Sequence, residues 1–400
     1  MRLGTANSYD TTLQNIYTRQ SDIAAIHEKI TSTKNINRAS DDPTGAAQAE
    51  RALTRITRVA TEQRALGAQS SAITLAESTL GDATSLMHTL RDLVVSAGGV
   101  LNATDRVSKA QEMQSLRDQL FSLANRSDAT GIPLFGGLGS ANIPFTDTAG
   151  TVTFNGIAGQ RASTDVAVPG AMDGQAIWMN VRSGNGTFDV STGGNTGTLS
   201  TDSGQVVSPS ALTGHNYSVN FSVASGTTTF QVFDDTTDSA HSALPAPVAQ
   251  TYVAGQAIQF GGMSFVANGA PANGDVVKLI PSTQTNVFKV LDDAIAGLKN
   301  TSASSSGVSQ TISLALTQID TSMNNIIAAR GQAGEWLHRA DNIGSSQLDR
   351  TLQLTADKSR VEDLDMVKGL SDFQKEQTNY QVALQSYAQI QKLSLFNYIS

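Results

Sequence analysis

Near both ends of the chain, apolar residues recur at alternating intervals of three and four. This spacing restricts the fold more than any other feature of the sequence. One series runs Leu13, Ile16, Gln20, Ile23, His27, Ile30, and another Leu370, Phe373, Gln377, Tyr380, Leu384, Tyr387. A mean spacing of about 3.5 residues keeps one side of a helix against a partner helix, as in a coiled-coil seam. Two longer series lie inside these. They are Ile73, Ala76, Leu80, Ala83, Met87, Leu90, Val94, Ala97 and, on the return, Leu316, Ile319, Met323, Ile326, Arg330, Ala333, Leu337, Ala340. A lone helix cannot bury such a stripe, and short isolated helices are marginal in water. The spacing therefore predicts a chain that goes out along one helical arm and returns antiparallel along another, with its two ends together. Each terminal series has a glutamine in third place. Gln20 and Gln377 either fix register at some cost in stability or are tolerated at loosely packed positions. His27 reads as an imidazole packed at a helix interface. Arg330 interrupts the inner return series, either to face a neighbour or as a boundary residue.

Between residues 140 and 284 the composition changes. This stretch holds nine Asp against three bases (Arg161, Arg182, Lys278), no Glu, seven of the nine prolines and 18 of the 34 glycines. Glu, Lys, Arg, Gln and Ala favour helix, whereas Gly, Pro, Thr and Asn favour turns and strands. The expected fold is α+β, with long antiparallel helical arms from the two terminal segments and a β-rich central insert. Tyr217, Val219, Phe221 and Val223 alternate with polar residues, Ala224-Ser225-Gly226 supplies a turn, and alternation resumes over 229–233, the pattern of a β-hairpin. Short strands are also expected at 151–154, 177–181, 257–260 and 276–280. Gly98-Gly99 ends the first inner helix, and a shorter helix carrying Met113, Leu116, Leu120 and Leu123 restarts between Asn102 and Asp105.

Between the outer and inner series lies Ile36-Asn37-Arg38-Ala39-Ser40-Asp41-Asp42-Pro43-Thr44-Gly45. Asp42 suits an N-cap, and Pro43 suits the first helical position because the donor it lacks would have had no partner there. Ser40, Asp41, Asp42 and Pro43 are thus a helix start and a candidate hinge for the outermost segment.

The chain carries a formal net charge of −8 and no cysteine. Nucleic acid and anionic membranes both require clustered positive charge, which is not expected here. Disulfides, thiolate zinc sites, iron–sulfur clusters and cysteine nucleophiles are excluded together. His27, His88, His215, His241 and His338 are scattered singly, and no zinc-protease, phosphate-loop, dinucleotide or nucleophile-elbow motif occurs. Asp234, Asp235 and Asp238 lack the spacing of a calcium loop and read as a solvated turn. No apolar run approaches the roughly 18 residues of a membrane span. Met1 to Gln20 contains no apolar stretch of the kind found in a cleaved secretory signal. No catalytic, cofactor or metal residues are expected.

The stretch Asn37-Arg38-Ala39-Ser40-Asp41-Asp42-Pro43 resembles the bacterial flagellin superfamily, whose members carry a similar Ser-Asp-Asp-Pro turn at the start of their long helix. The ending Ala388-Gln389-Ile390-Gln391-Lys392-Leu393-Ser394-Leu395-Phe396-Asn397-Tyr398-Ile399 is more similar to hook-associated members than to filament flagellins, which usually finish near Leu-Leu-Arg. Ala270-Pro271-Ala272-Asn273-Gly274-Asp275-Val276, leading through Pro281 to Val287-Phe288, resembles the end of the hook-associated insert. The resemblance covers 1–139 and 287–400, and 140–269 matches no motif.

The resemblance implies a structural subunit of the bacterial flagellum, an adapter between hook and filament needed for filament assembly. It implies three regions: 1–42 with 360–400 as a coiled coil at the inner wall of a tube, 43–139 with 285–359 as a helical bundle, and 140–284 as an outer insert. Terminal segments of this kind fold as they associate. The self-association residues would be the two terminal series named above, together with Ile390, Leu393, Leu395 and Phe396. The implied partners are copies of the chain in a ring, a hook-associated protein on the hook side, flagellin on the filament side and an export chaperone on the C-terminal segment. The implied location is extracellular, after type III export without a cleaved signal. Two alternatives remain: a divergent flagellin, against which the ending at 394–398 speaks, and a secreted binding module carried by the insert. For the latter, Trp178 is the only tryptophan available to the insert as a stacking platform.

Overall fold

In a computed structural model, residues 5–99, 102–139, 143–242 and 247–399 are described, with side chains of the two terminal helices from Asp10 and up to Gln389. The helices are α1 (Thr5–Ser32), α2 (Pro43–Ala97), α3 (Ala103–Ala124), α4 (Val287–Lys299), α5 (Ser305–Glu362) and α6 (Met366–Ile399). Between α3 and α4 run β1 (Phe145–Thr148), β2 (Thr151–Phe154), β3 (Val181–Arg182), β4 (Phe188–Ser191), β5 (Ser200–Thr201), β6 (Gln205–Val206) and β7 (Tyr217–Ala224). They are followed by β8 (Thr227–Asp234), β9 (Gln250–Thr251), β10 (Ala257–Phe260), β11 (Met263–Asn268), β12 (Val276–Pro281) and β13 (Gln284–Thr285). The expected α+β class is what forms. Two compact units result, Leu66–Asn342 and Met1–Ala65 with Ile343–Ser400.

In the unit Leu66–Asn342, the α2 series lies where its spacing places it, with Ile73, Ala76, Leu80, Ala83, Met87, Leu90, Val94 and Ala97 all buried. Gly98 closes the helix by donating its N–H to the Val95 carbonyl at 3.1 Å. On α5 only every second expected position faces the core. Ile319, Ile326, Ala333 and Ala340 are buried, but their companions are Ala315, Ser322, Ala329 and Trp336. Leu316, Met323 and Leu337 pack along the margin. Arg330 therefore does not interrupt the seam. It stands beside it, with Nε 2.7 Å from Glu77 Oε1, and Arg91 Nε reaches Asp320 Oδ1 at the same distance.

Asn102 caps α3 by accepting the Asp105 N–H at 2.8 Å, and Asn286 caps α4 through the Lys289 N–H. The two helices are clamped by Arg117, which is buried and grips both oxygens of Asp292 at 3.0 and 3.1 Å, with Asp147 of β1 as a further partner. Its guanidinium carbon lies 5.6 Å from the ring centres of both Phe121 and Phe288. A buried cation is tolerable only when paired and hydrogen-bonded in this way. Phe135, Phe145, Trp178 and Phe288 complete the core, and the 177–181 segment departs from expectation there. It forms a single π-helical turn, Gln175–Met179, before β3. Ile177 and Trp178 both point into the core, which consecutive residues of a strand cannot do. Asn325 of α5 donates to the carbonyls of Ala176 and Ile177 in place of a ladder.

Residues from Phe188 to Leu279 build a second core. One sheet has the order β4-β12-β7-β8-β9; in the other β11 is the centre, with β10 on one side and β5 and β6 on the other. Phe221, Phe230, Val277 and Leu279 of the first sheet meet Ile258, Phe265 and Ala267 of the second. The expected hairpin is β7–β8, turning at Ser225 (φ 50°) and Gly226 (φ 79°). Positive φ at both central residues matches the twist of the strands they join. Asp234, Asp235 and Asp238 do more than face water: His215 Nδ1 lies 2.8 Å from Asp234, His241 Nε2 lies 2.8 Å from Asp235, and Asp238 accepts the Ser242 N–H. Two side chains of α5 hold this unit: Gln310 accepts from the Thr201 N–H and hydroxyl, and Thr317 donates to Ser203.

Candidate functional site: the terminal helix pair

In the unit Met1–Ala65 with Ile343–Ser400, α1 and α6 run antiparallel. Arg19 Nη1 lies 3.2 Å from Glu376 Oε2, and the His27 ring centre 6.2 Å from that of Phe373. On α1, Ile16 is buried and Leu13, Ile23 and Ile30 are half-buried. On α6, Phe373, Tyr380 and Tyr387 are half-buried. Of the remaining members, His27 borders the seam with its ring against Phe373, as expected of an imidazole at a helix interface, and the others turn away. Gln20, His27, Leu370, Gln377 and Leu384 are exposed, and the inward positions beside them are Arg19, Ile26, Gly369, Glu376 and Ala383. Gly369 and Ala383 are small and Arg19 pairs with Glu376, which lets the helices come close there, and Leu370 and Leu384 turn outward. The facing polar pair is thus Arg19–Glu376 in place of Gln20 and Gln377. The side chains of Ile390, Leu393, Leu395 and Phe396 lie outside the described residues.

Two helix breaks sit side by side in this unit. In the first, Asp42 Oδ1 accepts the N–H groups of Thr44 and Gly45 at 3.0 Å and the Thr44 hydroxyl at 2.7 Å, so α2 starts at Pro43 as expected. Asp41 has a separate task, accepting the N–H groups of Asn37 and Arg38 at 3.0 and 2.9 Å, while Ser40 is an exposed turn residue. The backbone donors of Arg38 and Asn37 hold the Asp41 carboxyl below its ordinary range, and the Gly45 N–H with the Thr44 hydroxyl does the same for Asp42. Gly45 leaves room for this: a Cβ there would lie 2.4 Å from Asp42 Oδ2 and 2.7 Å from Ile36 Cδ1.

At the second break, Asp365 caps α6 by accepting from Val367 and Lys368. A two-way backbone bridge ties the breaks together: Asn35 N–H donates to the Glu362 carbonyl at 2.8 Å, and Leu364 N–H to the Thr33 carbonyl at 3.0 Å. Lys34 pairs with Glu362, which also meets Lys358 at 3.3 Å. Lys34 lowers the Glu362 pKa, and Glu362 raises that of Lys34. The Asp365 cap has a local signal, an Asp just before an apolar helix start. The Lys34–Glu362 clasp has none, because its partners come from opposite ends of the chain.

With one side turned inward, α6 still exposes Met366, Val367, Leu370, Val382 and Leu384, and α1 exposes Tyr17. No described helix is long and apolar enough to cross a membrane. A paired set of terminal helices with an uncovered apolar flank, and a second unit built of helices and β-sheets, agree with what comparison with known proteins finds. The bacterial flagellin N-terminal helical region matches residues 4–140, and the C-terminal helical region matches 316–399. The chain belongs to the bacterial flagellin family. Within that family it is similar over its whole length to flagellar hook-associated protein 3 of Escherichia coli, at 25% identity over 409 residues and 99% of each chain. The crystal structure of the Legionella pneumophila flagellar junction protein FlgL superposes with a TM-score of 0.67 at 29% identity, over 74% of this chain and 99% of that one. Xanthomonas campestris FlgL gives 0.65 at 30% identity, over 76% and 99%.

Proposed function

We propose that the chain is a structural subunit at the junction between flagellar hook and filament, adapting one assembly to the other. The uncovered apolar flank of the α1–α6 pair carries this reading: Leu370 is 51% exposed and Leu384 41%. Such residues at coiled-coil spacing are stable in water only once a neighbour covers them. Full-length likeness to hook-associated protein 3 supplies the place in the flagellum. The division into a terminal rod (1–42 with 360–400), a bundle (43–139 with 285–359) and an outer insert (140–284) belongs to the same reading.

The partners are copies of the chain in a ring, a hook-associated protein on one side and flagellin on the other. Leu13, Ile16, Ile23, Ile30, Leu370, Phe373, Tyr380, Leu384 and Tyr387, with Ile390, Leu393, Leu395 and Phe396, mediate coupled folding and association. The chain leaves the cell through the flagellar type III apparatus, its C-terminal segment guarded by a chaperone until assembly. The absence of cysteine suits that route, since no disulfide can trap it on the way. The role is structural, with no chemical step.

Deletion of the gene tests the proposal. The expected strain keeps hooks, loses filaments and releases flagellin monomers into the medium. Intact filaments after deletion would sink the assignment. Restoration of filaments by this chain alone in a flagellin-null strain would make it a filament subunit instead.

A further inference from the structure

Within the unit Leu66–Asn342, a groove of about 600 Å³ opens between α2 and the loops that follow α3. Ala68, Gln69 and Ala72 form one wall, and Ile132, Leu138 and Val168 line it from the loops. Ile132 is 52% exposed and Leu138 45%, so the groove is apolar and uncovered. Polar residues interrupt it: Asp128 and Thr130 are bonded to each other, the Thr130 hydroxyl donating to Asp128 Oδ1, and two more remain open. Arg161 lies exposed at the groove with no ion pair among the described residues, and Gln69 Oε1 is buried with no hydrogen-bond partner. An occupant must therefore bring aliphatic side chains, one acid for Arg161 and a donor for Gln69.

The chain itself carries such a ridge. On α5, Leu348 and Leu352 are 63% and 72% exposed, and four residues apart they share one helix face. Asp349 lies between them, and Gln353, also exposed and next to Leu352, supplies a donor. Two leucines fit a groove whose α2 wall is made of alanines, as knobs fit holes.

We infer that the Leu348–Leu352 ridge of one copy docks in the Ala68–Leu138 groove of the next copy, with Asp349 against Arg161. The inference rests on the self-association reading and specifies its surfaces. Because groove and ridge are different patches, the contact is head-to-tail, and its repetition closes a ring or winds a helix.

The natural chain has no cysteine, so each introduced one is unique. Ala68→Cys and Leu352→Cys are carried on two differently tagged copies in one null strain, and assembled junctions are treated with a short bis-maleimide. A product joining the two tags should exceed same-tag products at least tenfold. Filaments present without that product overturn the docking. So do equal same-tag products, which mean a symmetric contact, or cross-links to a chain of different mass. As a second readout, Arg161→Asp and Asp349→Arg should each reduce motility, and together restore most of it; no restoration counts against the pair. The deletion experiment decides the junction role independently, so failure of the cross-link leaves that role standing.

Discussion

Asp275 shows how one buried side chain can organise a loop. Its carboxylate accepts the N–H groups of Thr196 at 2.9 Å, Gly197 at 3.1 Å and Ala272 at 2.8 Å, binding the 195–197 and 270–275 loops to each other. Gly197 is needed for the approach, since a Cβ there would lie 2.5 Å from both the Ala272 nitrogen and Asp275 Oδ2. Replacing Asp275 with Ala strands three part-buried donors and should cost about 2 kcal/mol, seen as a lower urea midpoint for the β-sheet signal; Asp275→Asn, which keeps one acceptor, should cost about half. At this scale the sequence is legible where the signal is local. Asp41, Asp42 and Pro43 announce their turn and cap within four residues, whereas Asp275 and the His–Asp pairs take their meaning from residues the fold brings to them.

Helix seams were legible in period and ambiguous in phase. On α2 the expected positions are the buried ones. On α5 and α6 alternate positions are displaced by one residue, toward Ala315, Ser322, Ala329 and Gly369, Ala383. Reading for large apolar residues picks Leu316 or Leu370, but two helices approach most closely where side chains are small, and the leucine beside them turns to the margin or outward. Truncation distinguishes the two places. Met87→Ala, in the fully buried seam, should cost about 3 kcal/mol, while Leu316→Ala at the margin should cost about 1 kcal/mol, both by thermal or urea unfolding. Gln377→Leu should leave the α1–α6 pair unchanged, since Gln377 faces outward.

The double break has a pH window that follows from its charges. Asp41, Asp42 and Glu362 titrate lower in the folded chain than free carboxyls do, so they stabilise the fold above their unfolded values near pH 4 and lose that contribution as pH falls further. Lys34 is raised above its ordinary 10.5, so its contribution holds below that value and is lost as pH rises through its folded pKa. The amides of Asn35 and Leu364 should accordingly stay protected from about pH 5 to 10 and exchange faster, after correction for intrinsic rates, at pH 3. Lys34→Met should remove the protection at every pH. Equal protection at pH 3 and pH 7 would show that the backbone bridge holds without the clasp.

For the whole molecule, the sequence foretold two helical arms with a β insert, and the antiparallel pairing of the ends follows from stripes that need partners. It did not foretell that 145–181 would lend Phe145, Trp178 and Val181 to the helical core. Composition groups those residues with the insert because glycine and proline dominate their connecting turns, while the aromatic side chains that decide their packing are few. Removal of residues 384–400 should abolish junction assembly and leave the second core folded, with its β-sheet circular dichroism and urea midpoint unchanged. A truncated chain that restores motility to a null strain would remove the terminal rod from the mechanism.

β3 and β13 pair antiparallel, Val181 with Thr285 and Arg182 with Gln284, so the chain leaves the helical body and comes back at a single doorway. Whatever is strung between those two strands has its ends already held, and the entropy of closing it grows only slowly with its length. The sheet unit is in that sense a cartridge. Shorter, longer or unrelated domains could occupy the same doorway, given a substitute for the partners that Gln310 and Thr317 find there, which makes residues 183–283 a port where the surface of such a subunit can be rewritten.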